Sequence, residues 1–193
     1  MNEEYTNMIK SVKEYGGFYV GRYETSLKTG VVGSKINETP MNTSAGTETS
    51  SDRGNLWYGI YNKQDSNKNI RNPYYNSTAV VSSMIWGSQY DAMVNWALTG
   101  NEAYMVFERT GNHSGSVAKT GAYGSDIMNN IFDLCANLFD ITQEGRFSYN
   151  RTSRGNAHGV NSSNSISSRN LHVPNNSSSV IGSRLSLYIR TSN

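Results

Sequence analysis

Cysteine occurs once in the 193 residues, at Cys135, so neither an intramolecular disulfide nor a cysteine-based zinc cluster can hold this chain together. Stability has to come from packing. No apolar run approaches the length needed to span a bilayer, and Met1 to Lys10 lacks the basic start and apolar centre of a signal peptide. Membrane insertion is not expected, and export would use another route. Basic residues never form a run and the formal net charge is only +2, which leaves no face for nucleic acid. Acidic residues stop at Glu144. From Gly145 onward the strong charges are Arg146, Arg151, Arg154, Arg169, Arg184 and Arg190, with no Lys. No internal repeat is visible, and sequons such as Asn76-Ser77-Thr78 follow from the abundance of Asn and Ser.

What is present fits one domain over residues 1–193, long enough to bury a core. The 13 Tyr and 3 Trp suit a packed interior and an adaptable contact surface equally. Tyr5, Met8, Ile9, Val12 and Tyr15 recur at helical spacing, with Glu3 and Glu4 in the first turn where the dipole favours them, so a helix is expected over Asn2–Tyr15. Gly16-Gly17 ends it, and FYVGRYE reads as a strand carrying Phe18, Tyr19, Val20 and Tyr23. Thr25 to Asn55 loses periodicity, so residues 24–80 are expected to contain a long surface excursion.

VVSSMIW reads as a buried segment. Ser88-Gln89-Tyr90-Asp91 has the spacing of a helix start with Asp91 placed to cap backward, and the helix continues through Met93, Val94, Trp96 and Ala97 to a stop at Gly100. Tyr104 to Phe107 is strand-like, Thr110 to Ser125 is loose, and IMNNIFDLCANLFDIT is apolar enough for a buried helix or a buried strand. Trp86, Trp96, Tyr90 and Phe107 lie beside aliphatic residues and are expected in the core, as is Cys135 between Leu134 and Ala136.

NSSNSISSRNLHVPNNSSS, Asn161 to Ser179, has the composition of a linker. Yet IGSRLSLYIR follows, alternating Leu185, Leu187 and Ile189 with Arg184, Ser186 and Tyr188 as a half-buried strand does. A polar stretch is therefore pinned inside a fold.

Taken in order, GGFYVGRYE, WGSQYDAMVNWA, NIFDLCANLFDIT, RGN and IGSRLSLYI resemble the formylglycine-generating-enzyme-like branch of the C-type lectin fold. Asp133, Asn137, Leu138 and Thr142 keep that family's frame in the third segment, while Ala136, Phe139, Asp140 and Ile141 depart from it; Arg154-Gly155 and Gly182-Ser183-Arg184 hold the later motif places. The resemblance implies an α+β, C-type lectin-like fold with two helices, short antiparallel strands and extensive loops. The Ser-rich spacer followed by Ile-Gly-Ser-Arg and an aliphatic strand resembles, more closely, the variable proteins of diversity-generating retroelements. In such systems a reverse transcriptase copies a template with errors at adenines, and Asn codons are favoured targets. Residues reachable from Asn codons crowd Ser148 to Val180, within a candidate variable region of about 137–188.

The resemblance thus implies a non-enzymatic, receptor-recognising protein, displayed on a phage virion or a bacterial cell surface, whose partner is a protein or cell-surface ligand. Arg154, Gly155, Pro174, Gly182 and Arg184 would form its frame. Tyr149, Ser153, Asn156, His158, Val160, Ser162, Asn170, Leu171, His172, Val173 and Asn176 are the candidate contact residues, and in an extended chain Asn156, His158 and Val160 share one face. The enzymes of the resembled branch use cysteines near the final strands, and nothing after Gly145 supplies a thiolate. His158 and His172 have no acidic residue after Glu144 to orient them as catalytic groups, and His113 reads as solvated. Asp140 and Asn137 occupy places that help hold calcium in some relatives, but two such ligands are few, and the sugar-binding Glu-Pro-Asn is absent, since Val173 precedes Pro174-Asn175. No catalytic residue, metal or cofactor is expected. Two rivals remain: a metal-dependent enzyme on the same scaffold, and a structural phage decoration domain.

Overall fold

Amphipathic spacing becomes a helix where it is expected. In the computed structural model, which describes residues 2–28, 31–35, 38, 40–43, 57–98, 138–146, 150–155, 157 and 167–191, α1 runs Asn2–Tyr15. Gly16 terminates it at φ 80°, its N–H returning 2.9 Å to the Val12 carbonyl, a left-handed cap that glycine adopts without a Cβ penalty. Strand β1, Tyr19–Val20, follows but does not extend to Tyr23.

β1 pairs antiparallel with β9 (Leu185–Ile189), which pairs on its other side with β4 (Val80–Met84). One face of this sheet packs on α1 through Met8, Val81, Trp86 and Tyr188, with Ile9, Val12 and Phe18 around them. The alternation of β9 is inverted relative to the sequence reading. Ser186 and Tyr188 are buried, whereas Leu185, Leu187 and Ile189 are only partly so. Ser186 can go inside because its hydroxyl donates to the Ser83 carbonyl at 3.3 Å, which offsets the cost of burying it. The aliphatic side chains instead line a groove of about 820 Å³ with Tyr19, Val31 and Tyr74.

The described residues of 24–80 include ordered elements, while 44–56 lie outside the described residues. Strands β2 (Ser26–Lys28) and β3 (Val31–Gly33) form a hairpin, and α2, Trp57–Gln64, buries Trp57, Gly59, Ile60, Tyr61 and Gln64. The backbone is tied inward by Thr25 N–H to Ser183 carbonyl (2.9 Å) and Thr43 N–H to Ile181 carbonyl (2.7 Å). The described residues therefore hold three helices rather than two.

The third is α3, Gly87–Leu98. Trp86 N–H donates to Gln89 Oε1 at 3.0 Å, so Gln89 makes the backward cap and Asp91 does not. Trp86 and Tyr90 are buried as expected, but Trp96, in the last turn of α3, is 52% exposed. Gly100, Tyr104 to Phe107, Thr110 to Ser125 with His113, and Ile127 to Asn137 with Asp133 and Cys135 lie outside the described residues.

The second large sheet has the order β7-β6-β5-β8. Strands β5 (Phe139–Arg146), β6 (Asn150–Arg154) and β7 (Arg169–His172) are antiparallel, and β8 (Ile181–Gly182) is parallel to β5. The ambiguous apolar segment is thus a strand from Phe139 onward. The main core gathers Met41, Trp57, Ile60, Tyr61, Met84, Phe139, Ile141, Ala157 and Ile181 between this sheet and α2. The class is α+β. Among the described residues, no helix is long and apolar enough to cross a membrane.

Candidate functional site

Two arginines that a surface reading would place in water are among the largest fully buried side chains, Arg154 at 2% and Arg184 at 0% exposed. Burying a guanidinium requires partners. Arg184 donates from Nε to Asp140 Oδ2 at 3.1 Å and from Nη1 to the Gly21 carbonyl at 2.9 Å, tying the entry of β9 to β5 and to the end of β1. Burial works against its charge, but Asp140, Glu24 and Tyr90 hold the Arg184 guanidinium above its ordinary range. The Asp140 carboxylate is therefore committed to an arginine. Arg154 pairs with Asp91 of α3 and lies 4.9 Å above the Tyr90 ring, clamping β6 to that helix. Among the described residues, no three His, Cys, Asp or Glu side chains gather as a metal site would require.

This frame carries the polar segment. β7 pairs with β6 in the register Arg154↔Arg169, Ser153↔Asn170, Thr152↔Leu171 and Arg151↔His172. Beyond β7, Asn176 N–H closes a turn on the Val173 carbonyl at 2.9 Å, and Trp57 N–H donates to the Pro174 carbonyl at 3.2 Å. Thr43 and Ser178 exchange bonds, hydroxyl to carbonyl and N–H to hydroxyl, each at 3.1 Å. Phe139 N–H then takes the Val180 carbonyl at 2.8 Å as the chain enters β8. A stretch with almost no core of its own is thus held by its backbone. From Arg169 to Val180 its side chains alternate exposed and half-buried: Arg169, Leu171, Val173, Asn175, Ser177 and Ser179 face water.

The candidate contact residues divide accordingly. Leu171 and Val173 are exposed at 42% and 44%. Asn170, His172 and Asn176 are half-buried beneath them, with Asn176 Nδ2 donating to His172 Nδ1 at 3.3 Å. Desolvation holds the His172 imidazole below its ordinary pKa. Ser153 does not belong to the outward strip: it is wholly buried, its side chain on the core face of the sheet beside Ile141. Tyr149, Asn156, His158, Val160 and Ser162 lie outside the described residues. Composition missed Arg169, Asn175, Ser177 and Ser179, though counting every second residue from Leu171 reaches them all. Of the frame, Arg154, Gly155, Gly182 and Arg184 are buried and Pro174 is half-buried.

Comparison with protein families, with curated proteins and with solved structures finds no match to this chain.

Proposed function

We propose that this chain is a non-enzymatic recognition protein of the C-type lectin-like class, its surface diversified by a retroelement and displayed on a phage virion or bacterial cell surface to bind a protein or cell-surface ligand. One observation supports the reading above others: the Asn/Ser-rich segment is pinned by backbone bonds yet turns every second side chain outward from Arg169 to Ser179. Such a strip can change its outward residues at little cost to stability, within about 0.5 kcal/mol each, because no core contact depends on them. It is also ordered before it binds, which spares the entropy that a linker would lose on contact.

The deciding experiment is to sequence the DNA beside the gene. The reading requires a near-copy of the codons for about residues 137–188 that differs where it carries adenine, together with a reverse transcriptase gene. Absence of both sinks diversification, and mismatches confined to codons of buried residues sink the outward strip as the target.

A further inference from the structure

On the opposite side of the same two strands lies a patch with different chemistry. Residues directly across an antiparallel ladder share a face, so Ser153 with Asn170 and Arg151 with His172 form a two-by-two array. Directly opposed side chains stand about 5 Å apart and successive pairs about 7 Å apart. Each of the four carries a buried polar atom with no hydrogen-bond partner: Arg151 Nε, Ser153 Oγ, Asn170 Nδ2 and His172 Nε2. All four can donate. Asn176 Nδ2 has only protons to offer His172 Nδ1, which puts the proton of the neutral ring on Nε2.

Charge points the same way. Arg151 is only 8% exposed and, among the described residues, has no ion-pair partner; the Trp57 ring, 4.2 Å from its Cζ, is its described neighbour. A sequestered guanidinium whose Nε has no partner is a poor arrangement in the free protein and a good one once an anion arrives. Ile141 and Trp57 wall the inner side, Phe139 lies 6.1 Å from the His172 ring, and access is from β7, an edge strand whose Asn170 and His172 remain partly exposed.

We infer that Arg151, Ser153, Asn170 and His172 form a carboxylate-binding pocket at the β6–β7 edge, which takes an acidic side chain of the bound ligand. This names the ligand chemistry for the recognition role proposed above and rests on that role only for the source of the carboxylate.

The test uses the full chain with isotopically labelled Arg and His side chains, titrated with sodium acetate against sodium chloride at matched ionic strength, with sodium phosphate as a second arm. Acetate is expected to move the Arg151 Nε and His172 Nε2 signals saturably, and Arg151→Gln and Ser153→Ala each to weaken that response about tenfold, the worth of one hydrogen bond to a charged group. Ser153→Ala should keep the melting temperature of the parent, since its hydroxyl has no partner to lose. No saturable movement, movement with phosphate alone, or an unchanged response in both variants overturns the pocket. The readout is independent of the DNA test: acetate binding without a template copy keeps the pocket and removes diversification, and the reverse result removes only the pocket.

Discussion

Asp91 holds two arginines at once: its Oδ1 pairs with Arg154, 2% exposed, and its Oδ2 lies 2.5 Å from Arg169, 57% exposed. The two halves of that bridge are unequal. Asp91→Asn strands a buried guanidinium and is expected to cost about 2 kcal/mol, less than the roughly 3–5 kcal/mol of a wholly buried pair because Asp91 is itself partly in water. Arg169→Ala removes an exposed partner and should cost under about 1 kcal/mol. Urea denaturation of both variants checks the asymmetry, and equal losses would refute it.

Gly182 sits where β8 passes the core with no room for a side chain. A Cβ there would collide with the Leu138 side chain and lie 2.8 Å from the Met41 carbonyl oxygen. Gly182→Ala is expected to destabilise by about 1–3 kcal/mol, the cost of overpacking. Leu171→Ala and Val173→Ala should each stay within about 0.5 kcal/mol. A thermal melt of the three variants separates frame from strip.

Burial holds the His172 imidazole below its ordinary pKa of 6.5. Between the folded and unfolded values the unfolded chain binds more protons, so this group's contribution to stability is complete above pH 6.5 and is lost as pH falls through the depressed folded value. His172→Gln should flatten that part of the stability–pH curve. A variant whose slope below pH 6.5 equals the parent's would show that His172 does not carry it.

Trp57 and Trp86 are 1% and 6% exposed and Trp96 is 52% exposed. Acrylamide should therefore quench one tryptophan readily, and Trp96→Phe should remove that accessible fraction. Its persistence in the variant would place Trp96 elsewhere.

Legibility in the sequence followed how local each signal was. The first helix could be read because Met8, Ile9 and Val12 recur on one face and Gly16 ends it within the same few residues. Helix α2 could not: WYGIYNKQ is only 8 residues, carries Gly59 within it, and its buried stripe of Trp57, Ile60 and Tyr61 ends on polar Gln64, too short a period to stand out. In β9 the period of two was correct but the face was not, since the partner that lets Ser186 turn inward, Ser83, is 103 residues away. Likewise, nothing near Arg169 in sequence announces β7; its pairing depends on β6 and its turn on α2 and Thr43. The frame arginines were legible as a pattern, but that they are the buried members and Ser153 the hidden one required the register.

One consequence follows from the position of β9. It lies downstream of the outward strip, yet it is the middle strand of its sheet, hydrogen-bonded to β1 on one side and β4 on the other. Any insertion or deletion among the strip's codons that shifts the reading frame, and any premature stop there, deletes the strand on which both neighbours depend. A chain that folds is thus one whose strip was translated in frame to its end, so the diversification proposed above would meet a check on the reading frame in the fold itself.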